Sequence, residues 1–280
     1  MLSPDRLAFE GATLDVLIAD VHVRVEAPES IVAVLNTTLN TIPRSDAKRI
    51  PDVVISVRAN EAWEIHGLEG SLKLMDAHSP LPQVAGAIVT TIIAHVAANQ
   101  KYTAMRAAVV EKDGRALAFL GDDWESAITL AAHLHGRGWR YIGSDNALLH
   151  AETRRVFPVQ KSLYVNSSSL AQLPLHYRRA VEASPWYVTP AGISFYAVDP
   201  LIAGQPQTWS PSASLAAIVV VDGLIADRPA VETLDEVTMS SERLSRLELD
   251  WDLVKIVDLR LGGIVESCDL LEHWFEANRS

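Results

Sequence analysis

The residues best placed to do chemistry run from Phe119 to Ala131, Phe-Leu-Gly-Asp-Asp-Trp-Glu-Ser-Ala-Ile-Thr-Leu-Ala. An apolar run, a glycine, a polar turn and a helical stretch form the layout of a phosphate-binding loop. Such a loop needs glycines, whose backbone N–H groups approach the phosphates. It also needs a lysine against the terminal phosphates and a Ser/Thr hydroxyl on Mg²⁺. Counted from Gly121 in the pattern G-x-x-x-x-G-K-[ST], Ser126 stands for the second glycine, Ala127 for the lysine and Ile128 for the hydroxyl. Thr129 lies one place on. As a bare motif the segment is rejected: it has the place of a phosphate loop without its residues.

The same turn is acidic. Asp122, Asp123 and Glu125 put carboxylates where a triphosphate would lie. Two unit charges about 4 Å apart interact by about 1 kcal/mol in water and about 4 kcal/mol at an effective dielectric of 20. A missing lysine and three added acids therefore weaken ATP binding by several kcal/mol. Two roles remain open for the acids. Asp122 or Asp123 caps the following helix, which is the simpler role. Alternatively, Asp122, Asp123, Glu125 and Asp145 hold a hard cation such as Mg²⁺ or Ca²⁺ through oxygen ligands. Arg106, Arg154, Arg155 and Lys161 could replace the lost positive charge, although as solvated surface residues they need no such role.

Other reactive side chains are bland. Cys268 is the single cysteine. It cannot form an internal disulfide, no Cys/His spacing suits zinc, and its apolar surroundings suit a small buried residue. No metal site is expected. His22, His66, His78 and His95 share no spacing, and Trp63 on a short strand reads as packing.

These residues need elements to hold them. Leu14 to Glu26 alternates with period two and reads as a strand with one wet face. Pro28 then opens a helix to about Ile42, with Glu29 at its positive end. Val53–Arg58, Ala62–His66 and Ser71–Met75 read as strands, and Val84–Ala98 as a buried helix. Beyond residue 98, Ala104–Glu111 and Ala116–Leu120 read as strands joined at Asp113-Gly114, a turn that needs positive φ. A helix from about Glu125 to His135 ends at Gly136-Arg137-Gly138. Strands follow at Trp139–Gly143, Ala147–His150 and Val156–Val159, with Lys161–Val165 extended. Ser167–Ala183 reads as a helix, Ile193–Val198 and Leu215–Asp222 as strands, Glu232–Leu247 as a helix, and Leu253–Leu261 as a strand. Gly262-Gly263 then turns into a last helix, Val265 to Asn278.

The bulk numbers narrow the partners. The chain has 280 residues, 49% of them hydrophobic and 21% charged, an ordinary globular composition. Its net charge of −11 gives no counterion-release gain on nucleic acid. No basic region followed by an apolar run marks a leader near Met1, and Val84 to Ala98 is too short to span a bilayer. The expectation is a cytoplasmic protein with neither nucleic acid nor membrane as partner.

The ordered pieces together resemble the HPr kinase/phosphorylase-like family, which shares a phosphoenolpyruvate-carboxykinase-type nucleotide domain. Met105-Arg106-Ala107-Ala108-Val109-Val110 resembles that family's segment before a short hairpin. Gly121 to Ala131 aligns without gaps with its phosphate loop, Thr129-Leu130-Ala131 being identical. Gly138 to Asn146 resembles its paired-aspartate segment, and "VKIVDLRLGGIVESCDLLEHWF" its closing strand and helix. The likeness covers roughly residues 100–280. It implies an α/β (α+β) protein: a mixed-sheet kinase-like phosphate-loop domain over 99–280, preceded by a small α+β domain over 1–98. By the same likeness the nucleotide remnant is Gly121, Ser126, Thr129 and Asp145.

The departures from the family carry the functional reading. Arg106 replaces the histidine before the hairpin, Ala127 the lysine, Ile128 the metal hydroxyl and Asn146 the second aspartate. An asparagine cannot accept a proton at neutral pH. Losing all four removes each element of phosphoryl transfer. The expectation is a degenerate, non-catalytic kinase-like protein without a cofactor, binding a peptide or protein in a bacterial system, with self-association open. The alternative is an active phosphotransferase on a serine or threonine, with ATP and Mg²⁺ in a rebuilt site.

Overall fold

The computed structural model describes residues 11–39, 42, 44–67, 70–98, 101–121, 124–143, 146–159, 163–184, 186–188, 194–198, 212–222, 229–234 and 255–279. The chain divides into two compact units, Met1–Asn99 and Gln100–Ser280. It is a mixed α/β protein, with strands of both directions in its two larger sheets.

The first unit contains β1 (Ala12–Ile18), β2 (Val21–Ala27), α1 (Glu29–Thr38), β3 (Val53–Ala59), β4 (Ala62–His66), β5 (Leu72–Asp76) and α2 (Leu81–Ala97). The sheet order is β1-β2-β3-β4-β5, with β2 and β3 parallel across the α1 crossover. Val16, Val23, Val25, Ile55 and Ile65 are buried on the sheet, and Ile31, Leu35, Ile88 and Ile92 on the helices. The segment Leu14 to Glu26 is a hairpin rather than one strand, with Ile18 opposite Val21 and Ala19 at φ 56°. Period-two alternation looks the same on both arms of a hairpin. The turn residue, an alanine at positive φ, carries no turn signature in sequence.

The second unit contains β6 (Tyr102–Met105), β7 (Ala108–Lys112), β8 (Arg115–Leu120), α3 (Trp124–Gly136), β9 (Arg140–Gly143), β10 (Ala147–His150), β11 (Arg155–Pro158) and β12 (Leu163–Asn166). A 3-10 helix (Ser167–Gln172), α4 (Leu175–Glu182), β13 (Trp186–Val188), β14 (Ser194–Val198), β15 (Ala213–Asp222), β16 (Ala230–Leu234), β17 (Lys255–Arg260) and α5 (Ile264–Ala277) follow. The main sheet runs β6-β10-β11-β15-β8-β7-β9, and β17, carrying β16, joins it at β15. β15 is parallel to β8 on one edge. Its other edge pairs with β11 at its start and with parallel β17 further on. β12, β14 and β13 form a separate antiparallel sheet. One core, including Phe119, Leu130, Leu134, Trp139, Leu271 and Phe275, joins the sheet to α3 and α5.

Three expectations change here. Ala104–Glu111 is two strands: β6 pairs with β10 and β7 with β8 and β9, so the chain changes partners at Arg106-Ala107. Ser167–Ala183 is a 3-10 helix and then α4, because Pro174 at ψ 146° lacks an N–H and cannot continue a helix. Ala230–Leu234, where a helix was expected from Glu232, is a strand on the edge of β17. The rest of that expected helix, 235–247, lies outside the described residues.

Candidate functional site

The chain brings its phosphate-loop segment to the carboxyl end of β8, between β7 and β15. That is where open α/β sheets bind ligands. β8 is a run of buried small and large apolar residues, held by the Asp113-Gly114 turn at φ 56° and 80°. At its end stands Gly121. A Cβ there would lie 2.3 Å from the Val221 carbonyl oxygen on β15. The glycine is therefore required by the close approach of two backbones, whether or not a phosphate is bound.

From Ala127 onward α3 packs inward. Ala127 is fully buried and Ile128 is 6% exposed, both in the core shared with β8, β15 and α5. Thr129 is also fully buried, and its hydroxyl donates to the Glu125 carbonyl at 2.7 Å. That bond is internal to the helix and uses the hydroxyl's one proton. Ser126 is half-buried and Glu125 exposed. The positions where lysine and metal hydroxyl would stand are thus interior surface, packed by apolar atoms.

Two further sequence candidates, Arg106 and Asn146, lie just outside strands of this sheet. Arg106 and Ala107 link β6 to β7, ahead of the pair Ala108 with Phe119. Asn146 precedes β10, whose first residue, Ala147, pairs with Met105 on β6. Arg106 is exposed and Asn146 half-buried. A Cβ on Gly143, at the end of β9, would lie 3.0 Å from the Asn146 carbonyl oxygen. Asp122, Asp123, Asp145 and Lys161 lie outside the described residues.

The other cations and histidines have structural duties or lie apart. Arg155 donates to Ser212 Oγ at 2.7 Å and to its carbonyl at 3.1 Å, fastening β11 to the start of β15. Arg154 takes φ 52° after β10 and its carbonyl accepts from Leu215 N–H. His22 contacts Asp15 at 2.8 Å, His66 contacts Glu64 at 3.2 Å, and His95 contacts Ser71 at 3.3 Å. His78 donates its backbone N–H to Asp76. Trp63 Nε1 donates to the Ala77 carbonyl, so its ring is packing. Among the described residues no group of three or more His, Cys, Asp or Glu side chains could hold a metal ion. No helix among them is long and apolar enough to cross a membrane.

Two buried polar groups escaped the sequence reading. Glu111, fully buried on β7, pairs with Arg140 and accepts the Gly114 N–H at 2.5 Å. His135, in the last turn of α3, pairs through Nδ1 with the Tyr177 hydroxyl at 2.5 Å. Burial lowers the His135 pKa to about 4, with the charge of His176 adding to the effect. Burial likewise pushes the Tyr177 hydroxyl well up. The only sequence signal was polarity inside otherwise apolar periods. Cys268 is buried against α3, and desolvation raises its thiol to about 12.

Comparison with known proteins returns no matching family model and no matching curated protein. Among solved structures, the HPr(Ser) kinase/phosphatase from Coxiella burnetii is similar at 14% identity and a TM-score of 0.35. The likeness covers 63% of this chain and 90% of that one.

Proposed function

We propose that the second unit is a degenerate, non-catalytic kinase-like domain, and that the protein binds a peptide or protein partner in a regulatory role. The observation that carries this reading is the burial of Ala127, Ile128 and Thr129. A working phosphate loop presents cation and hydroxyl to the phosphates in a polar, accessible cradle. Here those positions belong to the core beneath the sheet. The loop glycine has a packing reason to persist, and Asn146 offers no base.

Neither nucleotide nor metal is needed by this reading. The test is turnover. Purified protein with radiolabelled ATP and Mg²⁺ should release no ADP or phosphate above a heat-killed control. It should label neither itself nor serine-containing peptides. Measured turnover that disappears in Asp145→Ala would refute the non-catalytic reading and favour the active phosphotransferase. Pull-down from the native host with quantitative mass spectrometry then asks for the partner. The binding role fails if no protein is enriched over an unfolded control.

A further inference from the structure

An exposed tryptophan stands where the second unit's core runs out. Trp186 on β13 lies opposite Tyr196 on β14, and Tyr196 lies opposite Val165 on β12. Residues directly opposite one another in a sheet share a face. Val165 is buried in the main core and Tyr196 packs against it, so this is the core face of the small sheet. Trp186 ends the row and is 61% exposed. The core face thus continues past its own cover. A large ring left in water on such a face is a feature of binding surfaces, where tryptophan is enriched. The helix before it adds charge. Residues 183–185 link α4 to β13, and α4 packs on β14, the neighbour of β13. Tyr177, Ala180 and Val181 are the buried side of α4. Leu175, Arg178, Arg179 and Glu182 recur at i, i+3, i+4 and i+7 and form a second stripe. Leu175 is 63% exposed. Arg178 donates to the carbonyls of Leu173 and Ala171, and neither it nor Arg179 makes an ion pair among the described residues.

We propose that Trp186 and the outer stripe of α4 bind an acidic peptide segment of a partner protein, with an apolar side chain on the indole and carboxylates on Arg178 and Arg179. This rests on the reading of the protein as a peptide- or protein-binding module, and names its surface. Charge complementarity argues for that occupant. The stripe sets two arginines against one glutamate, on a chain whose net charge is −11. An acidic segment is attracted here and repelled by the chain as a whole, which fixes where it docks. Arg178 is held by the two carbonyls it bonds, so part of the cationic stripe is already positioned for a carboxylate. A bilayer fits less well. Leu175 and Trp186 offer little apolar area to insert, Glu182 shares the stripe, and the net negative charge opposes an anionic lipid surface.

The probe is a phage-displayed library of random peptides selected on the full-length protein. Selected peptides are synthesised with a fluorescent label and titrated by anisotropy. They should be rich in Asp and Glu around a Leu, Phe or Trp, and bind at about 1–100 µM. Trp186→Ser should weaken them at least about tenfold. Arg179→Glu should weaken them about three- to tenfold, by an amount that shrinks as salt is added. Both positions are exposed, so the circular dichroism spectrum and Tm of each variant should match wild type. Peptides that bind wild type and Trp186→Ser alike overturn this surface and leave the binding reading standing. Selected peptides that are basic overturn the charge assignment and with it the proposal. Binding to phosphatidylcholine–phosphatidylglycerol vesicles that Trp186→Ser abolishes overturns it in favour of a membrane. A selection that returns no peptide above a blank surface also overturns it, and the pull-down then decides the binding reading separately.

Discussion

Replacing Ala127 by lysine restores the residue that a phosphate loop carries at this place, and asks whether the position opens on a ligand or on the core. Ala127 is fully buried and packed within the core that includes Leu130, Ala131, Val219 and Cys268. Two costs follow from that. Extra methylenes in a filled core cost about 1–3 kcal/mol. An ammonium buried without a partner costs several kcal/mol more after relaxation. Ala127→Leu brings comparable bulk without charge and isolates the first cost. The expected losses are about 1–3 kcal/mol for leucine and about 4–6 kcal/mol for lysine. A domain of this size moves by about 2–4 °C per kcal/mol, so lysine should lower Tm by about 10–20 °C.

The assay is thermal and guanidinium unfolding by far-ultraviolet circular dichroism, for wild type and both variants, with and without MgATP. Lysine should fall well below leucine, and MgATP should restore neither. The reasoning is refuted if Ala127→Lys melts within about 2 °C of wild type. It is equally refuted if MgATP returns the lost stability, since binding raises Tm only where a site exists.

Gly121→Ala should destabilise by about 1–3 kcal/mol in guanidinium unfolding, because its Cβ would meet the Val221 carbonyl at 2.3 Å. A stable variant would remove the packing reason for the glycine. Stability should also fall as pH drops from about 6.5 to about 4, since unfolded His135 takes up a proton that the folded, buried ring refuses until about 4. The full effect is about 3 kcal/mol, present above pH 6.5 and lost by about 4, and His135→Gln should flatten that part of the stability–pH curve. Cys268, buried with its thiol raised to about 12, should resist Ellman's reagent at pH 8 in the native protein and react once per chain in denaturant. Native labelling within minutes would contradict that burial.

Much of the site's scaffold was legible because its signals are local. The Asp113-Gly114 turn, the apolar β8, Gly121 and the glycines after α3 each carry their conformational reason in the residue itself. So does α5, entered through Gly262-Gly263. What escaped depended on partners distant in sequence. Nothing near Arg106 tells that β6 leaves β7 to pair with residues 147–150. The strand at Ala230–Leu234 exists because β17 offers it an edge, and its own alternation was too short to outweigh a helical reading. The loss of lysine and hydroxyl was visible at Ala127 and Ile128. That Thr129 turns its hydroxyl into its own helix was not.

If the second unit is non-catalytic as proposed, the buried Ala127 and Ile128 leave ATP without a cation or a metal-binding hydroxyl. The most direct test is a thermal-shift titration of the wild-type protein with ATP at about 5 mM and excess Mg²⁺. A ligand at a hundred times its dissociation constant adds about 2.7 kcal/mol, so even weak binding would be seen. No change in Tm is expected beyond that produced by matched ionic strength. A saturable rise in Tm that Asp145→Ala abolishes would contradict that expectation.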